Sequence, residues 1–158
     1  MIIRTHRDFD KRYAKLPELI KKREASRQLN IWCGAASSGQ EIYSVLMLLK
    51  ENFPSLSTWK INFIASDISK EMLERCKEGC YSQLEVNRGL AAMLLVKYFQ
   101  KIGVQWQVKD ELRRMVEWRQ INLAQNWGVL PAMDIVFMRN VMIYFDMETK
   151  RQVVGRML

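Results

Sequence analysis

The hydrophobic pattern changes from that of a strand to that of a helix across a cluster of small residues at positions 34–39. An apolar run at residues 29–32 ends at this cluster. The apolar residues that follow it recur at helical spacing: Ile42, Val45, Leu46 and Leu49. The pattern predicts a strand, a tight turn and a helix, and in an open α/β sheet such a turn lies at the carboxyl end of the strand, where ligands bind.

The predicted turn has small residues that would let a ligand approach the backbone closely, namely Gly34, Ala35, Ala36 and Gly39. They do not form the G-x-G-x-x-G pattern of dinucleotide-binding proteins, and no lysine completes a phosphate-binding loop. A turn packed tightly for structural reasons is therefore an equal alternative. Glu41, at the start of the helix, disfavours a diphosphate and suits a ligand with hydroxyls or a positive charge. S-adenosylmethionine has both.

A second strand, turn and helix follow in the chain. Residues 61–65 have a strand pattern, and a helix is predicted from about residue 70 to residue 78, where Gly79 ends it. Asp67 lies between the strand and the helix. An acidic residue at this strand end binds ribose hydroxyls in nucleotide folds, and we predict that role for Asp67. The alternative is that Asp67 caps the helix, although Ser69 could do so instead.

Two more strands are predicted later in the chain. Residues 116–121 have a strand pattern, and residues 135–138 form the continuously apolar run that is typical of a strand buried on both faces. The residues that directly follow these runs are Asn122-Leu123 and Arg139-Asn140. Four strands would thus each deliver small or polar residues to one edge of a sheet.

These segments resemble the CheR-type chemotaxis receptor methyltransferases, which use S-adenosylmethionine. That family carries a G-E-E-P-Y-S-like segment, an A-T-D strand end, an asparagine-leucine pair and the segment C-R-N-V-M-I-Y-F-D. The corresponding segments of this chain are residues 39–44, 65–67, 122–123 and 138–146. The last match is long and specific, and the four follow one another in the family's order and spacing.

The resemblance implies an α/β fold, the class I methyltransferase fold with a Rossmann-like sheet and a small inserted antiparallel β subdomain. We expect one truncated methyltransferase domain over residues 1–158, with a helical lead-in at 1–28 and the subdomain at 100–118. Residues 106–108 and 116–118 look like subdomain strands. We expect the family's N-terminal helical domain to be absent and the sheet to be incomplete at the carboxyl terminus, so that a missing segment or a second chain would complete it.

The resemblance also assigns roles to individual residues. Those expected to bind the donor are Ala35, Glu41, Asp67, Met72, Asn122, Leu123, Arg139 and Asn140. Glu41 should face the charged end of the donor, Asp67 the ribose hydroxyls and Met72 the adenine. Arg4 lies where the family has its active-site arginine, and Tyr144 would line the site of methyl transfer.

The implied reaction is methyl transfer from S-adenosylmethionine to glutamate carboxylates of chemoreceptors, with S-adenosylhomocysteine and glutamyl methyl esters as products. A carboxylate is already ionised at neutral pH, so the reaction needs no general base but does need alignment. The expected partners are the cytoplasmic helices of methyl-accepting receptors, and the expected location is the cytoplasm. Two alternatives stay open: an inactive fragment that binds the donor or its product, and a nucleic-acid methyltransferase. The second would be expected to carry an Asn/Asp-Pro-Pro-Tyr-like segment where Arg139-Asn140-Val141 stands.

Composition limits the remaining possibilities. The chain has 158 residues, of which 49% are hydrophobic, enough for the core of one domain. No apolar stretch approaches the roughly 18 residues of a membrane span, so we expect no membrane insertion. The net charge of +8 is concentrated near the N-terminus without a nucleic-acid motif or interleaved aromatic residues, which favours a solvated helix face over a nucleic-acid partner. Three cysteines and one histidine do not form a zinc set, so no metal is expected.

Overall fold

The structure is a computed structural model, and it describes residues 16–34, 36–88, 90–122, 124–125, 130 and 132–137. The helices are α1 (Leu16–Lys22), α2 (Gln40–Asn52), α3 (Lys70–Glu78), α4 (Gln83–Asn87), α5 (Ala92–Tyr98) and α6 (Asp110–Arg113), with a short 3-10 helix at Pro54–Thr58. The strands are β1 (Gln28–Cys33), β2 (Lys60–Asp67), β3 (Cys80–Ser82), β4 (Phe99–Ile102), β5 (Gln105–Val108), β6 (Val116–Gln120) and β7 (Ile135–Phe137).

Four parallel strands form the main sheet in the order β6-β2-β1-β7. The two central strands, β1 and β2, pair along the whole of β1, from Gln28 opposite Lys60 to Cys33 opposite Ala65. Most of their apolar side chains are buried, on both faces, as parallel sheets require. The expected α/β class with a parallel sheet is confirmed.

Helix α2 contributes a large part of the core. The apolar face predicted from the sequence is buried, with Ile42, Val45, Leu46 and Leu49 all at most 3% exposed. Tyr43 is buried as well, because its ring packs beside Tyr81 of β3 and Trp118 of β6 at centroid distances of 6.4 and 6.2 Å. The helix is thus covered by the main sheet and by the small sheet.

The small antiparallel sheet has the strand order β3-β5-β4. The predicted strand at residues 106–108 is part of it, as β5. The prediction that residues 116–118 also belong to it is wrong, because β6 pairs in parallel with β2, with Val116 opposite Phe63. Helix α6 lies between β5 and β6 and carries the chain from one sheet to the other. Strand β3 takes the third place in the small sheet.

The ends of α3 follow the local signals in the sequence. The hydroxyl of Ser69 accepts a hydrogen bond from the backbone N–H of Met72 at 3.2 Å, as a helix N-cap does. Gly79 ends the helix in the left-handed conformation, with φ of 64°. Both predicted boundaries of this helix are confirmed. In the described ranges, no helix combines the length and the apolar character that crossing a bilayer would require.

Candidate functional site

The carboxyl ends of the parallel strands meet at one edge of the sheet. In the pairing register, Cys33 lies opposite both Ala65 and Phe137, and Asp67 lies opposite Gln120. The strand order reverses at β1, which has β2 on one side and β7 on the other. Ligands of open α/β sheets bind in the crevice at such a switch point. The turn that follows β1 starts at this edge, at the end of the strand.

Asp67 connects the turn after β1 to the start of α3. Its carboxylate accepts a hydrogen bond from the N–H of Ser37 at 2.9 Å on one oxygen and from the N–H of Ser69 at 2.9 Å on the other. Each oxygen has two lone pairs, so the carboxylate keeps acceptor capacity for a ligand hydroxyl. The side chain of Ser69 is the N-cap of α3, so Asp67 is not needed for that task, and its ribose role stays a prediction.

Three backbone amides of the turn, those of Ala36, Ser37 and Gly39, have partners within the protein. The N–H of Ala36 donates to the carbonyl of Ser66 at 2.8 Å, and that of Gly39 donates to the carbonyl of Ala36 at 2.9 Å. A phosphate-binding loop instead directs such groups at its ligand. Glu41 lies in the first turn of α2 and makes no hydrogen bond or ion pair with the described residues. These features favour a ligand with hydroxyls or a cation over a diphosphate, and this preference stays a prediction.

Gly39 faces the interior of the protein and not the ligand edge. A Cβ atom at this position would lie 3.0 Å from the sulfur of Cys76 and 3.0 Å from the hydroxyl oxygen of Tyr81. The residue is also in the left-handed conformation, with φ of 84°. The expectation that Gly39 lets a ligand approach the backbone is therefore wrong, because the missing side chain makes room for internal packing.

Ser66 is a buried polar residue directly beneath the turn. Its hydroxyl oxygen accepts a hydrogen bond from the indole N–H of Trp32 at 3.0 Å and lies 3.3 Å from the carbonyl oxygen of Gly34, to which it can donate. No role for Ser66 is predicted from the sequence. The signal for it was a small polar residue inside an otherwise apolar strand, next to Asp67.

Two further side chains that the sequence analysis missed hold the turn from below. The thiol of Cys76 in α3 donates to the carbonyl of Ser37 at 3.1 Å, and the hydroxyl of Tyr81 in β3 donates to the carbonyl of Ser38 at 2.7 Å. Burial raises the pKa of the Cys76 thiol to about 12, and the negative charge of Asp67 acts in the same direction. The thiol therefore stays protonated, as a hydrogen-bond donor must be.

Two other predicted donor-binding residues lie beside Asp67. The N–H of Ile121 donates to the carbonyl of Asp67 at 3.2 Å, which places the neighbouring Asn122 at this edge. The side-chain oxygen of Asn122 accepts from the N–H of Ala124 at 3.0 Å. Met72 is half-buried in the first turn of α3. Glu41, Asp67, Met72 and Asn122 thus lie on elements that begin or end at the same edge.

The other predicted site residues lie outside the part of the chain that the structure describes. They are Arg4, Ala35, Leu123, Arg139, Asn140 and Tyr144. Their roles stay predictions. Among the described residues, no three His, Cys, Asp or Glu side chains are grouped so that they could hold a metal ion.

A groove of about 640 Å³ lies at the opposite end of the sheet. It is lined by Leu49 and Phe53 at the end of α2, Trp59 and Ile61 at the start of β2, and Tyr98 at the end of α5, among others. These are the amino ends of the strands. Since ligands of this type of sheet bind at the carboxyl ends, the groove is separate from the candidate site.

The family model and similar curated proteins all point to chemotaxis methyltransferases. The whole chain, residues 1–158, matches the family described as CheR methyltransferase, SAM binding domain. The chain is 42% identical over 146 residues to chemotaxis protein methyltransferase 1 of Pseudomonas aeruginosa, covering 89% of this chain and 53% of that protein. It is 39% identical to chemotaxis protein methyltransferase Cher2 of Pseudomonas putida, covering 89% of this chain and 52% of that protein.

A third relative is the chemotaxis protein methyltransferase of Vibrio parahaemolyticus, which is 38% identical over 90% of this chain and 52% of its own length. The chain therefore spans about half the length of the curated relatives it matches. The chain also aligns with a solved structure, the methyltransferase domain of bacterial-CtHen1-CN. The alignment covers 91% of this chain and 57% of the chain in that structure. Its TM-score of 0.44 and 17% sequence identity are too low to bear on function.

Proposed function

The chain belongs to the CheR methyltransferase family, and from this premise we propose that it transfers a methyl group from S-adenosylmethionine to glutamate side chains of chemoreceptors. The products would be glutamyl methyl esters and S-adenosylhomocysteine. The observation that carries the proposal is that the turn after β1 and Asp67 meet at the carboxyl edge of the sheet, in a chain that matches the family's donor-binding domain throughout. The partner would be the cytoplasmic helices of a receptor, which implies a cytoplasmic location.

The described residues fit the donor in three respects. The remaining lone pairs of the Asp67 carboxylate suit the ribose hydroxyls. The carboxylate of Glu41, at the start of α2, suits the charged end of the donor. Met72 supplies an apolar side chain one turn beyond Asp67, against which adenine would pack. The other residues that we propose to complete the site are Ala35, Asn122, Leu123, Arg139 and Asn140.

When bound, the donor supplies a methyl group that its sulfonium already activates. The acceptor glutamate has a free pKa near 4.3 and is ionised at neutral pH, so the chain need not remove a proton. What the chain contributes is alignment of the two groups and exclusion of water. We propose that Arg4 orients the acceptor carboxylate and that Tyr144 lines the transfer site, both roles resting on the resemblance to the family.

Titration calorimetry with S-adenosylmethionine tests the donor site. Asp67→Ala should weaken binding roughly 5- to 150-fold, because losing a buried hydrogen bond to a hydroxyl costs about 1–3 kcal/mol. Glu74→Ala is the matched control, since Glu74 is an exposed acidic residue of α3 whose only partner in the described chain is Lys77. Equal affinity in the two variants would remove Asp67 from the site, and a parent chain that binds no donor would contradict the proposal.

Methyl transfer is tested with a cytoplasmic receptor fragment and donor that carries a labelled methyl group. We expect label in the receptor that mild base releases as methanol, which reports a carboxyl methyl ester. A receptor fragment with its acceptor glutamates changed to alanine is the control. Binding without any transfer would favour the inactive donor-binding module, and label transferred to added nucleic acid instead would favour the other alternative.

A further inference from the structure

We propose that Tyr81 is a positioning residue for the donor: its hydroxyl, together with the thiol of Cys76, holds the turn after β1 in the conformation that the donor needs. The inference rests on the proposed function, because it names what shapes the donor site. Neither residue lies in the turn itself. Tyr81 comes from β3 of the small sheet and Cys76 from α3.

The backbone of the turn needs such support. Ser37 has φ of 50° and Gly39 has φ of 84°, both in the left-handed region. A residue with a side chain is unfavourable there and keeps this conformation only where its surroundings impose it. Ser37 is exposed, so its own side chain does not anchor the turn by burial. The anchoring must come from groups that bind its backbone.

Three side chains from three different elements bind that backbone. Asp67 of β2 accepts from the N–H of Ser37 at 2.9 Å, while Cys76 donates to the carbonyl of the same residue at 3.1 Å. Tyr81 donates to the carbonyl of Ser38 at 2.7 Å. The backbone N–H and the carbonyl of Ser37 are therefore both held, and the carbonyl of Ser38 is held as well.

The two hydrogen-bond donors beneath the turn are themselves shielded from solvent. Tyr81 is 1% exposed and Cys76 is 0% exposed. Gly39 closes over both of them, with no room for a Cβ atom between the turn and these side chains. Removing the Tyr81 hydroxyl would thus leave the carbonyl of Ser38 without its partner in a place where solvent does not reach the phenol ring. The turn would then be free to relax from its strained conformation.

The bond from Tyr81 also joins the small sheet to the donor site. Tyr81 pairs with Trp106 of β5 in the backbone ladder, and its ring packs against Phe99 of β4 at a centroid distance of 6.5 Å. A second polar contact joins the same regions, since the amide of Gln40 donates to the carboxylate of Glu85 in α4 at 3.0 Å. The position of the small sheet therefore bears directly on the conformation of the turn.

The test compares Tyr81→Phe with Tyr43→Phe. Both residues are almost fully buried, and each donates one hydrogen bond to a backbone carbonyl, but Tyr43 donates to Cys76 at 2.6 Å and not to the turn. We expect similar losses of thermal stability. The dissociation constant for S-adenosylmethionine should rise about tenfold in Tyr81→Phe, as for one lost hydrogen bond, and stay near that of the parent in Tyr43→Phe. Equal dissociation constants in the two variants would overturn the inference.

Hydrogen exchange separates this inference from the proposed function. The amides of the turn at residues 37–39 should exchange faster in Tyr81→Phe than in Tyr43→Phe even without a donor. If the parent binds no donor, the proposed function fails, and this exchange comparison still decides whether Tyr81 holds the turn. If Tyr81→Phe does not fold, Cys76→Ser and Cys76→Ala form a second pair. Cys76→Ser keeps a hydrogen-bond donor at this position, so the turn amides should still exchange slowly. In Cys76→Ala they should exchange faster. Equal exchange rates in the two variants would overturn the inference.

Discussion

The thiol of Cys76 shows how strongly one buried position can change the chemistry of a side chain. Burial raises its pKa from an ordinary value of 9.0 to about 12, and the nearby charge of Asp67 adds to the effect. Only the thiolate is nucleophilic, so a thiol with this pKa is unreactive at neutral pH. Cys80 lies four residues on, past the end of α3, and is partly exposed. The two cysteines should therefore differ in reactivity although they are close in sequence.

Iodoacetamide at pH 8 should modify Cys80 well before Cys76 in the folded chain, as measured by mass spectrometry of the resulting peptides. Because the folded pKa of Cys76 is raised, its protonated form stabilises the fold below about pH 9, and this contribution is lost as the pH rises toward 12. Protection of Cys76 should therefore fail in strongly alkaline solution. In denaturant the two thiols should react at comparable rates. Equal rates for Cys76 and Cys80 in the folded chain at pH 8 would show that burial does not protect the Cys76 thiol.

The end of α3 and the turn between β4 and β5 each depend on a glycine with left-handed backbone. Gly79 ends α3 with φ of 64°, and Gly103 forms the two-residue turn between β4 and β5 with φ of 61°. Their surroundings differ. A Cβ at Gly79 would lie 3.2 Å from Cδ of Arg113 and 3.3 Å from Cβ of Val108, whereas a Cβ at Gly103 would have no atom within 4 Å.

Gly79→Ala should therefore destabilise the chain more than Gly103→Ala. The change at Gly103 carries the backbone cost alone, about 1 kcal/mol. The change at Gly79 adds crowding against β5 and α6, which we expect to cost roughly 1 kcal/mol more. Urea denaturation of the two variants and the parent gives both free energies of unfolding. The same loss of stability in both variants would show that the contacts around Gly79 adjust without cost.

At the scale of the whole molecule, the carboxylate of Asp134 joins segments that are far apart in the sequence. The side chain is 4% exposed and forms an ion pair with Arg23, which follows α1. It also accepts a hydrogen bond from the backbone N–H of Asn30 in β1 at 2.8 Å. The side chain of Asn30 in turn donates to the carbonyl of Ala132 at 2.9 Å. A buried carboxylate requires such partners, so these bonds fix the start of β7 against β1.

Arg23→Ala should destabilise the chain by about 1–3 kcal/mol, because it leaves the buried carboxylate of Asp134 without its cation. Lys77→Ala is the matched control, since its ion pair with Glu74 is exposed and lies within one helix. Such surface pairs contribute about 0.2–1 kcal/mol or less. Denaturation in urea measures both changes. A loss no larger in Arg23→Ala than in Lys77→Ala would show that Asp134 is stabilised without Arg23.

The sequence by itself determined the individual strands, turns and helices and which strand ends lie together. The change from strand period to helix period at the first turn, the cap at Ser69 and the glycine at position 79 all depend on residues within a few positions of one another. Asp67 could be placed at the carboxyl edge because parallel strands must present that end together. The family could be identified for the same reason, since its motifs are short and contiguous. The roles of Arg4 and Tyr144, which rest on that resemblance, stay predictions.

Only the tertiary structure decided which elements meet. The apolar pattern of residues 116–118 fits either sheet, and the pairing of β6 with β2 became evident only from the register. The small residues around Gly39 indicate a ligand approach, but Cys76 and Tyr81 pack against this glycine. These two residues act on a turn about forty positions earlier in the chain. A hydrophobic pattern specifies which face of an element is buried, but the partner across that face is chosen by packing of the whole chain.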